Sequence, residues 1–522
     1  MLSYIPKIKR SICKIQGVNR PYNWSQPFLY EHEYESGGTA FFVDASKTFG
    51  KKFPVQKNCR YLLTNFHVVS SYVSHYALLE WPERNKSYLT AEVIYVCPNL
   101  DVAILKIDAN LPQPRWWKQD HHEWLESIRN LNLDLTTIQR GNSQLVKCIG
   151  FPNLQSDYQI SDGSLSSRGL GMLSCDLSLN SGNSGGPLFA CKTKKVIGIC
   201  TASVSDSERL ALAIPIQELY RFFNYWTDYE TKILRLPCWG LSTLKLTHDY
   251  MAYKNIDSAF TGALVKSVIK GQPCDLAKLK AGDILMGIET KDEKGNTVKY
   301  KIDNHGQVDF CSTEKKIKMD TVEFMLNLDP ECLYVHYYRN KKVHQTQVAL
   351  EPINFLCRRR YPSYEPVNYT VFGSMVFSNL HLNMLENDED DEDEEMNYNH
   401  GVLHRLQQSK GMENIVVVTH VNPQSYATFA GHSIEHESII KVNKTKIKDV
   451  DHLSEILDRV AEDYYSGKSN FVVLETSENK HVFSLDKLSQ QEREDNQKLQ
   501  LPIVLRLLKN RRKRRRSSQL YK

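Results

Sequence analysis

The chain has 522 residues, of which 41% are hydrophobic and 24% are charged, and its formal net charge is +5. This composition is typical of globular domains and excludes a wholly disordered chain. Because single cores rarely grow beyond about 250–300 residues, the length predicts several domains. The small net charge does not by itself indicate a nucleic-acid-binding protein.

The twelve cysteines are dispersed and include no Cys-x-x-Cys pair. This distribution argues against a zinc ribbon and against a small disulfide-rich domain. We therefore expect reduced thiols in an intracellular, reducing compartment, and neither a metal nor a cofactor. No apolar run reaches the roughly 18 residues of a membrane span. Residues 1–10 lack the apolar segment of a secretory signal and are expected to be a short N-terminal extension.

Residues 11–230 predict a domain of short strands separated by turns. A helix is predicted over Pro215–Trp226, where apolar side chains recur at helical spacing. Many short strands with little helix favour an all-β barrel or sandwich. The predicted strands include Thr39–Val43, Tyr61–Thr64, Ala91–Val96, Val102–Ile107 and Val196–Thr201.

Two smaller units are predicted downstream, over residues 235–355 and 365–490. They share a partial repeat of strands with an intervening helix, which favours two copies of one small β/α module. Residues 386–395 are almost entirely acidic and are expected to be a solvated insertion in the second of these units. Residues 500–522 form a basic C-terminal tail that contains six consecutive cations, Arg511–Arg516.

Three residues in separate apolar contexts suggest nucleophilic catalysis. His67 follows the strand Tyr61–Thr64, Asp101 precedes the strand Val102–Ile107, and Ser184 lies in a glycine-rich turn. A serine hydroxyl needs a base to take its proton and a group to orient that base. The chain order His, Asp, Ser is that of chymotrypsin-type double barrels, not of subtilisins or α/β-hydrolases.

The turn Gly182-Asn183-Ser184-Gly185-Gly186-Pro187 is the most specific of these signals. Its glycines permit a sharp turn that can aim two backbone N–H groups at one point. We assign the two oxyanion donors to Gly182 and Ser184. A lone histidine or aspartate beside a strand is usually structural, but the three motifs together predict a serine endopeptidase.

These motifs resemble those of the HtrA/Deg family of serine proteases. The resemblance includes Leu63–Val69, Asp101–Lys106, Asp176–Pro187 and Leu212–Pro215. It implies a mainly β fold, in which a chymotrypsin-like double β-barrel is followed by two PDZ-type β/α domains. With Tyr364–Gly373 before the last unit, the arrangement looks most like that of plant-type Deg proteases.

The resemblance also implies how the enzyme is controlled. Asn183 stands where digestive trypsin-like enzymes have an aspartate, so activation by a freed N-terminus is not expected. Control by loop ordering, within a trimer-based homo-oligomer, is implied instead. Trp239, Gly240 and Leu241 resemble the carboxylate-binding loop of a PDZ domain, which captures peptides at a sheet edge. A rigid spacer that binds no peptide is the alternative for this unit, and the last unit has no clear carboxylate loop.

The expected function is ATP-independent cleavage of unfolded or exposed polypeptide segments, as in protein quality control. The expected pocket walls, residues 178–183 and 197–201, carry no acidic residue, which favours small or medium apolar side chains. Cys200 occupies a position where the family often has asparagine. A PDZ scaffold or holdase with little proteolysis is the alternative function. The basic tail predicts either a nuclear address or contact with nucleic acid or another acidic surface.

Overall fold

The structure, a computed structural model, describes residues 5–29, 31–84, 88–108, 121–135, 144–168, 171–203, 210–292, 294–310, 316–352, 355–385, 400–409, 411–429, 434–499 and 507. The chain divides into two compact units. The first comprises Met1–Asn19 with Tyr34–Ile353, and the second comprises Arg20–Glu33 with Asn354–Lys522. The predicted acidic insertion at 386–395 and the cations Arg511–Arg516 lie outside the described residues.

The first barrel is closed by six antiparallel strands in the order β1-β2-β3-β6-β5-β4. Ile8, near the N-terminus, is buried in its core, so the predicted N-terminal extension contains a helix that packs on the barrel. The elements are α1 (Ile5–Ile8), β1 (Ile12–Asn19), β2 (Tyr34–Val43), α2 (Ala45–Thr48), β3 (Cys59–Thr64), α3 (Phe66–Val69), β4 (Tyr76–Glu80), β5 (Tyr88–Cys97) and β6 (Val102–Asp108), with 3₁₀ turns at Lys9–Ser11, Pro82–Arg84 and Pro98–Leu100.

A second six-stranded barrel follows, closed in the order β10-β11-β12-β9-β8-β7. Two closed barrels remove the exposed sheet edges on which chains aggregate. The predicted helix after Pro215 is present and ends in a π turn at Phe222–Trp226. The elements are α4 (His121–Ser127), β7 (Leu145–Gly150), a 3₁₀ turn (Pro152–Leu154), β8 (Gln159–Arg168), β9 (Leu173–Asp176), β10 (Pro187–Ala190), β11 (Val196–Ser203), β12 (Leu210–Pro215) and α5 (Ile216–Arg221).

The first unit ends in a six-stranded sheet of order β13-β14-β15-β19-β20, with β16 paired to β15. The sheet leaves β13 with one unpaired edge. A separate pair, β17 with β18, accompanies it. The elements are β13 (Leu241–Leu244), α6 (His248–Lys254), β14 (Ala263–Val268), α7 (Pro273–Leu276), β15 (Ile284–Lys291), β16 (Thr297–Lys301), β17 (Gln307–Asp309), β18 (Lys316–Lys318), α8 (Val322–Met325), β19 (Tyr334–Arg339) and β20 (Lys342–Gln347).

A buried ion pair fastens the turn into β15 to the end of β19. The Asp283 side chain is 2% exposed and accepts from Arg339 Nε and Nη2, both at 2.6 Å. We expect Asp283→Ala to lower the free energy of unfolding of this sheet by about 1.5–3 kcal/mol, because it removes charge-assisted hydrogen bonds to a guanidinium that is itself 25% exposed and keeps the Lys278 carbonyl as an acceptor. Urea unfolding, followed by hydrogen exchange of β15 peptides, measures this. Glu289→Ala is the control; its carboxylate pairs with the exposed Lys299 and with His336, and its loss should leave the free energy of unfolding nearly unchanged.

The second unit is built on a seven-stranded sheet of order β21-β22-β23-β24-β26-β27, with β25 paired to β24. Helix α11 covers it with a buried face that includes Leu453, Ile456 and Val460, as the spacing predicts. The elements are β21 (Tyr369–Phe372), β22 (Met375–Asn379), a 3₁₀ turn (Leu382–Leu385), α9 (His400–Ser409), β23 (Val416–Val421), α10 (Tyr426–Phe429), β24 (Ser438–Val442), β25 (Thr445–Lys446), α11 (Val450–Tyr465), β26 (Phe471–Thr476), β27 (Lys480–Ser484) and α12 (Leu485–Leu499).

The segment Arg20–Glu33, which joins β1 to β2, belongs to this second unit. The predicted domain 11–230 includes this segment. Trp24 packs edge-on against His381, and Phe28 lies 6.2 Å from Tyr369 between ring centroids. The Thr419 hydroxyl donates to the Ser25 carbonyl at 2.9 Å. These contacts of half-buried aromatic side chains, which no local pattern indicates, join the segment to the second unit.

Two further observations concern the described part of the chain. None of its helices is both long and apolar enough to cross a membrane. Its eleven cysteines are all unpaired thiols.

Candidate active site

His67 lies in the single turn of helix α3, directly after β3. Its neighbours Phe66, Val68 and Val69 are buried, whereas the His67 side chain is 48% exposed. The apolar residues therefore anchor the turn in the barrel and leave the imidazole at the surface. The buried Asn65 side chain donates to the Asp101 carbonyl at 2.9 Å and joins this turn to the start of β6.

Asp101 ends a short 3₁₀ turn in the left-handed conformation, with φ 49° and ψ 47°. Its carboxylate accepts from the His67 backbone N–H at 2.9 Å. The ring nitrogen Nδ1 of His67 lies 2.8 Å from Oδ2 and 3.0 Å from Oδ1. Because a carboxylate only accepts hydrogen bonds, the proton of a neutral imidazole lies on Nδ1, and Nε2 keeps its lone pair.

Thr201 connects the aspartate to the serine. Its hydroxyl donates to Asp101 Oδ2 at 2.5 Å, and its carbonyl accepts from Ser184 Oγ at 2.9 Å. Thr201 lies at a β-bulge, because Cys200 pairs with Ala213 while Ala202 pairs with the preceding residue of β12, Leu212. Bulges re-aim side chains beside active sites. The sequence analysis missed this residue, and no local signal marks it.

Among the described contacts, the Ser184 hydroxyl donates to Thr201 and makes no hydrogen bond to the His67 ring. The structure thus brings the three predicted catalytic residues together. Asp101 and Ser184 both form a hydrogen bond with Thr201. Catalytic hydrogen bonds are often long or absent without substrate and form in the Michaelis complex. Rotation about the Cα–Cβ bond of Ser184 would release the hydroxyl from the Thr201 carbonyl.

The turn before Ser184 leaves two backbone donors free. Among the described residues, neither the Gly182 N–H nor the Ser184 N–H has an acceptor. Each donor belongs to a peptide unit whose carbonyl is held by a hydrogen bond. The Ser181 carbonyl, which precedes Gly182 N–H, accepts from Asn153 N–H at 2.5 Å. The Asn183 carbonyl, which precedes Ser184 N–H, accepts from Gly186 N–H at 2.9 Å. A planar trans peptide points its N–H opposite to its C=O, so these bonds determine the direction of both donors.

Gly182 is required at its position for two reasons. Its φ is +95°, and a Cβ atom there would lie 2.2 Å from the Phe151 carbonyl oxygen. The Gly182 carbonyl accepts from the Thr39 hydroxyl at 2.7 Å, and the same hydroxyl accepts from Phe151 N–H at 3.1 Å. Thr39 was not predicted as a site residue. The adjacent Gly37 and Gly38 are the signal that could have indicated it, because glycines inside a strand mark a close backbone approach.

The comparisons with known proteins agree with this architecture. A trypsin-like peptidase domain matches residues 38–199, and a PDZ domain matches residues 360–498. The putative serine protease HhoB of Synechocystis is 30% identical over 44% of this chain and 55% of its own length. The putative mitochondrial protease Do-like 3 of Arabidopsis thaliana is 23% identical over 86% of this chain and 72% of its own.

The chain is thus similar to HtrA/Deg serine proteases in its trypsin-like and PDZ regions. The resemblance noted in the sequence is therefore confirmed, as is the double-barrel fold with a PDZ region. A solved HtrA-type protease, AlgW with a decapeptide, also matches at 19% identity and a TM-score of 0.44, over 68% of this chain and 99% of that one. The chain spans about half the length of the relatives from Synechocystis and Hahella chejuensis, 55% and 48% respectively.

Cys200, which the sequence places in the predicted walls of the specificity pocket, is a core residue. Its side chain is 1% exposed and lies in the core of the second barrel with Cys148 and Cys175. A hydrogen bond with Cys148 and, as the smaller cause, burial raise the pKa of the Cys200 thiol well above its ordinary value. The thiol therefore stays protonated and does not compete with Ser184 as a nucleophile.

The predicted peptide-binding loop, Trp239–Leu241, contains one residue that is buried in the core. The Trp239 ring is 3% exposed and donates to the Met319 carbonyl at 2.9 Å, so its side chain is a core residue. Gly240, with φ +70°, donates its N–H to Cys238 Sγ at 3.2 Å. Leu241 opens the edge strand β13. Among the described residues β13 pairs with β14 alone, whereas in the second unit β21 pairs along the outer edge of β22.

Proposed function

We propose that the chain is an ATP-independent serine endopeptidase that cleaves unfolded or exposed polypeptide segments. The hydrogen bonds of the Asp101 carboxylate to His67 and Thr201 are the observation that supports this most. They leave the imidazole with a free basic nitrogen on the side away from the carboxylate. Such an arrangement is the base of an acyl-transfer site.

In the proposed mechanism, His67 Nε2 takes the proton of the Ser184 hydroxyl as Oγ attacks the scissile carbonyl carbon. Negative charge develops on the carbonyl oxygen and is stabilised by the N–H groups of Gly182 and Ser184. His67 then gives its proton to the leaving amine, and the acyl group stays on Ser184. Water, deprotonated by His67, releases the acyl group as a carboxylic acid. Asp101 stays ionised throughout and holds the ring in one tautomer.

The proposed substrates present small or medium apolar side chains at the cleavage site. The predicted pocket walls, residues 178–183 and 197–201, carry no acidic side chain that would pair with a lysine or arginine of the substrate. We also propose that the edge strand β13, with the backbone of Gly240 and Leu241, receives a peptide C-terminus by strand addition. A trimer-based homo-oligomer remains part of this proposal.

Labelling with a fluorophosphonate tests the proposed activity. We expect the full-length chain to form a covalent adduct at Ser184, located by peptide mass spectrometry, and to degrade casein without ATP. The Ser184→Ala variant should do neither and is the control, because it changes one atom of the site and leaves the turn intact.

Labelling of the wild type at Ser184 without casein degradation would limit the chain to small substrates. Failure to label, together with suppression of casein aggregation, would instead favour the scaffold or holdase function. Equal casein degradation by the wild type and Ser184→Ala would contradict the proposed nucleophile.

A further inference from the structure

A buried ion pair lies on the first barrel at the point where the oxyanion turn approaches it. Lys14 Nζ lies 2.5 Å from Glu80 Oε2, and each side chain is 7% exposed. Lys14 pairs directly with Glu80 of β4 on one side and with Thr39 of β2 on the other. Directly paired residues point to the same face of a sheet, so the three side chains form one row.

This row contacts the loop between β7 and β8 of the second barrel. The Lys14 ammonium donates to the Leu154 carbonyl at 3.3 Å, and the Thr39 hydroxyl accepts from Phe151 N–H at 3.1 Å. Asn153 and Leu154 both have positive φ, 51° and 55°. Two consecutive non-glycine residues in this region are disfavoured and persist only where their surroundings hold them. The buried ammonium is such a constraint.

The same loop holds the oxyanion turn. Asn153 N–H donates to the Ser181 carbonyl at 2.5 Å, and the Ser181 carbonyl shares a planar peptide unit with Gly182 N–H. A rotation of the Asn153–Leu154 backbone dihedral angles would move the Asn153 N–H. The Gly182 N–H would then rotate away from the reacting carbonyl. Gly182 is also packed against the loop, since its Cβ position lies 3.1 Å and 3.2 Å from the nitrogens of Asn153 and Leu154.

We propose that Lys14, held by Glu80, is a positioning residue for the oxyanion hole and acts through Leu154, Asn153 and the Ser181–Gly182 peptide. This inference rests on the proposed function. Replacing a buried ion pair with apolar residues is often neutral for stability, so stability alone does not explain this pair. A role in positioning the oxyanion hole does. The pair touches the loop carbonyl but no substrate atom.

The test uses the full chain with Lys14→Met and Glu80→Leu combined, which removes both charges and keeps their volume. We expect kcat for a fluorogenic peptide to fall by about 10²-fold, the loss typical of one oxyanion donor, while KM changes less than about threefold. Affinity for a peptide boronate, which forms a tetrahedral adduct, should fall in parallel with kcat. Arg60→Met is the matched control, because Arg60 also donates from the first barrel to backbone carbonyls, those of Leu125 and Ile128 at the end of α4. It should leave kcat unchanged.

Hydrogen exchange of peptides spanning residues 180–186 is a second readout that does not require turnover. Exchange should be faster in the double variant and unchanged in Arg60→Met, even if the wild type fails to label at Ser184. Lys14→Gln, whose amide ends one bond short of Nζ, is the variant to use if the double variant does not fold. The inference is overturned if a folded Lys14 variant keeps kcat within about threefold and exchange of this segment is unaltered, or if Arg60→Met reproduces the loss.

Discussion

Replacement of His67 by alanine is expected to lower kcat for peptide cleavage by about 10⁶-fold. The imidazole is the group that can take the Ser184 proton, and its Nδ1 is already committed to the Asp101 carboxylate at 2.8 Å. Without it, the hydroxyl keeps its proton and the site retains only its oxyanion donors and its binding energy. Steady-state kinetics with a fluorogenic peptide that has valine or alanine before the scissile bond measure the loss.

His248→Ala is the control for this variant, since His248 is exposed at the start of α6 and distant in sequence from the three predicted catalytic residues. It should retain the wild-type kcat. A folded His67→Ala variant that keeps more than about 1% of the wild-type kcat would contradict the assignment of His67 as the base.

The second large effect is expected for Asp101→Asn, with a loss of about 10⁴-fold in kcat. Both oxygens of the carboxylate accept hydrogen bonds, from the His67 backbone, the His67 ring and the Thr201 hydroxyl. An asparagine has the same shape but replaces one acceptor with an NH₂ donor. The ring would then be held in the other tautomer, with its proton on Nε2, where it cannot accept the serine proton. The same fluorogenic assay measures this change.

Thr201→Val is the matched comparison, because it removes a single donor to the carboxylate and keeps the carbonyl that Ser184 contacts. A hydrogen bond to a charged group is worth about 1.5–3 kcal/mol, so a fall of about 10- to 100-fold is expected. If Asp101→Asn lost no more activity than Thr201→Val, tautomer control by Asp101 would be wrong.

The strands of the structure were largely predictable, because each carries the apolar pattern of its own sheet. Helix α11, Val450–Tyr465, follows from the apolar spacing of Leu453, Ile456 and Val460, and Tyr464, four residues after Val460, packs against the same core. The segment Arg20–Glu33 groups with the second compact unit. Its aromatic residues pack on strands more than 300 positions away in the chain, and no local propensity encodes such contacts.

The predicted site residues fall into two groups. His67, Asp101, Gly182 and Ser184 could be selected from sequence because each lies in a distinctive turn beside an apolar strand. Trp239 was selected by resemblance, but its ring belongs to the core. Thr39, Thr201 and Lys14 carry no such motif, and their roles depend on partners brought together by the two barrels.

The amino-acid sequence by itself determined the nucleophilic turn and the β architecture, because glycine conformations and strand alternation are local properties. The tertiary structure decided which groups surround that turn. The Lys14 ammonium meets a carbonyl 140 positions away, and the Thr201 hydroxyl meets a carboxylate 100 positions away. These encounters are set by barrel closure, strand register and one β-bulge, which are properties of pairing between distant strands and cannot be obtained from any single segment.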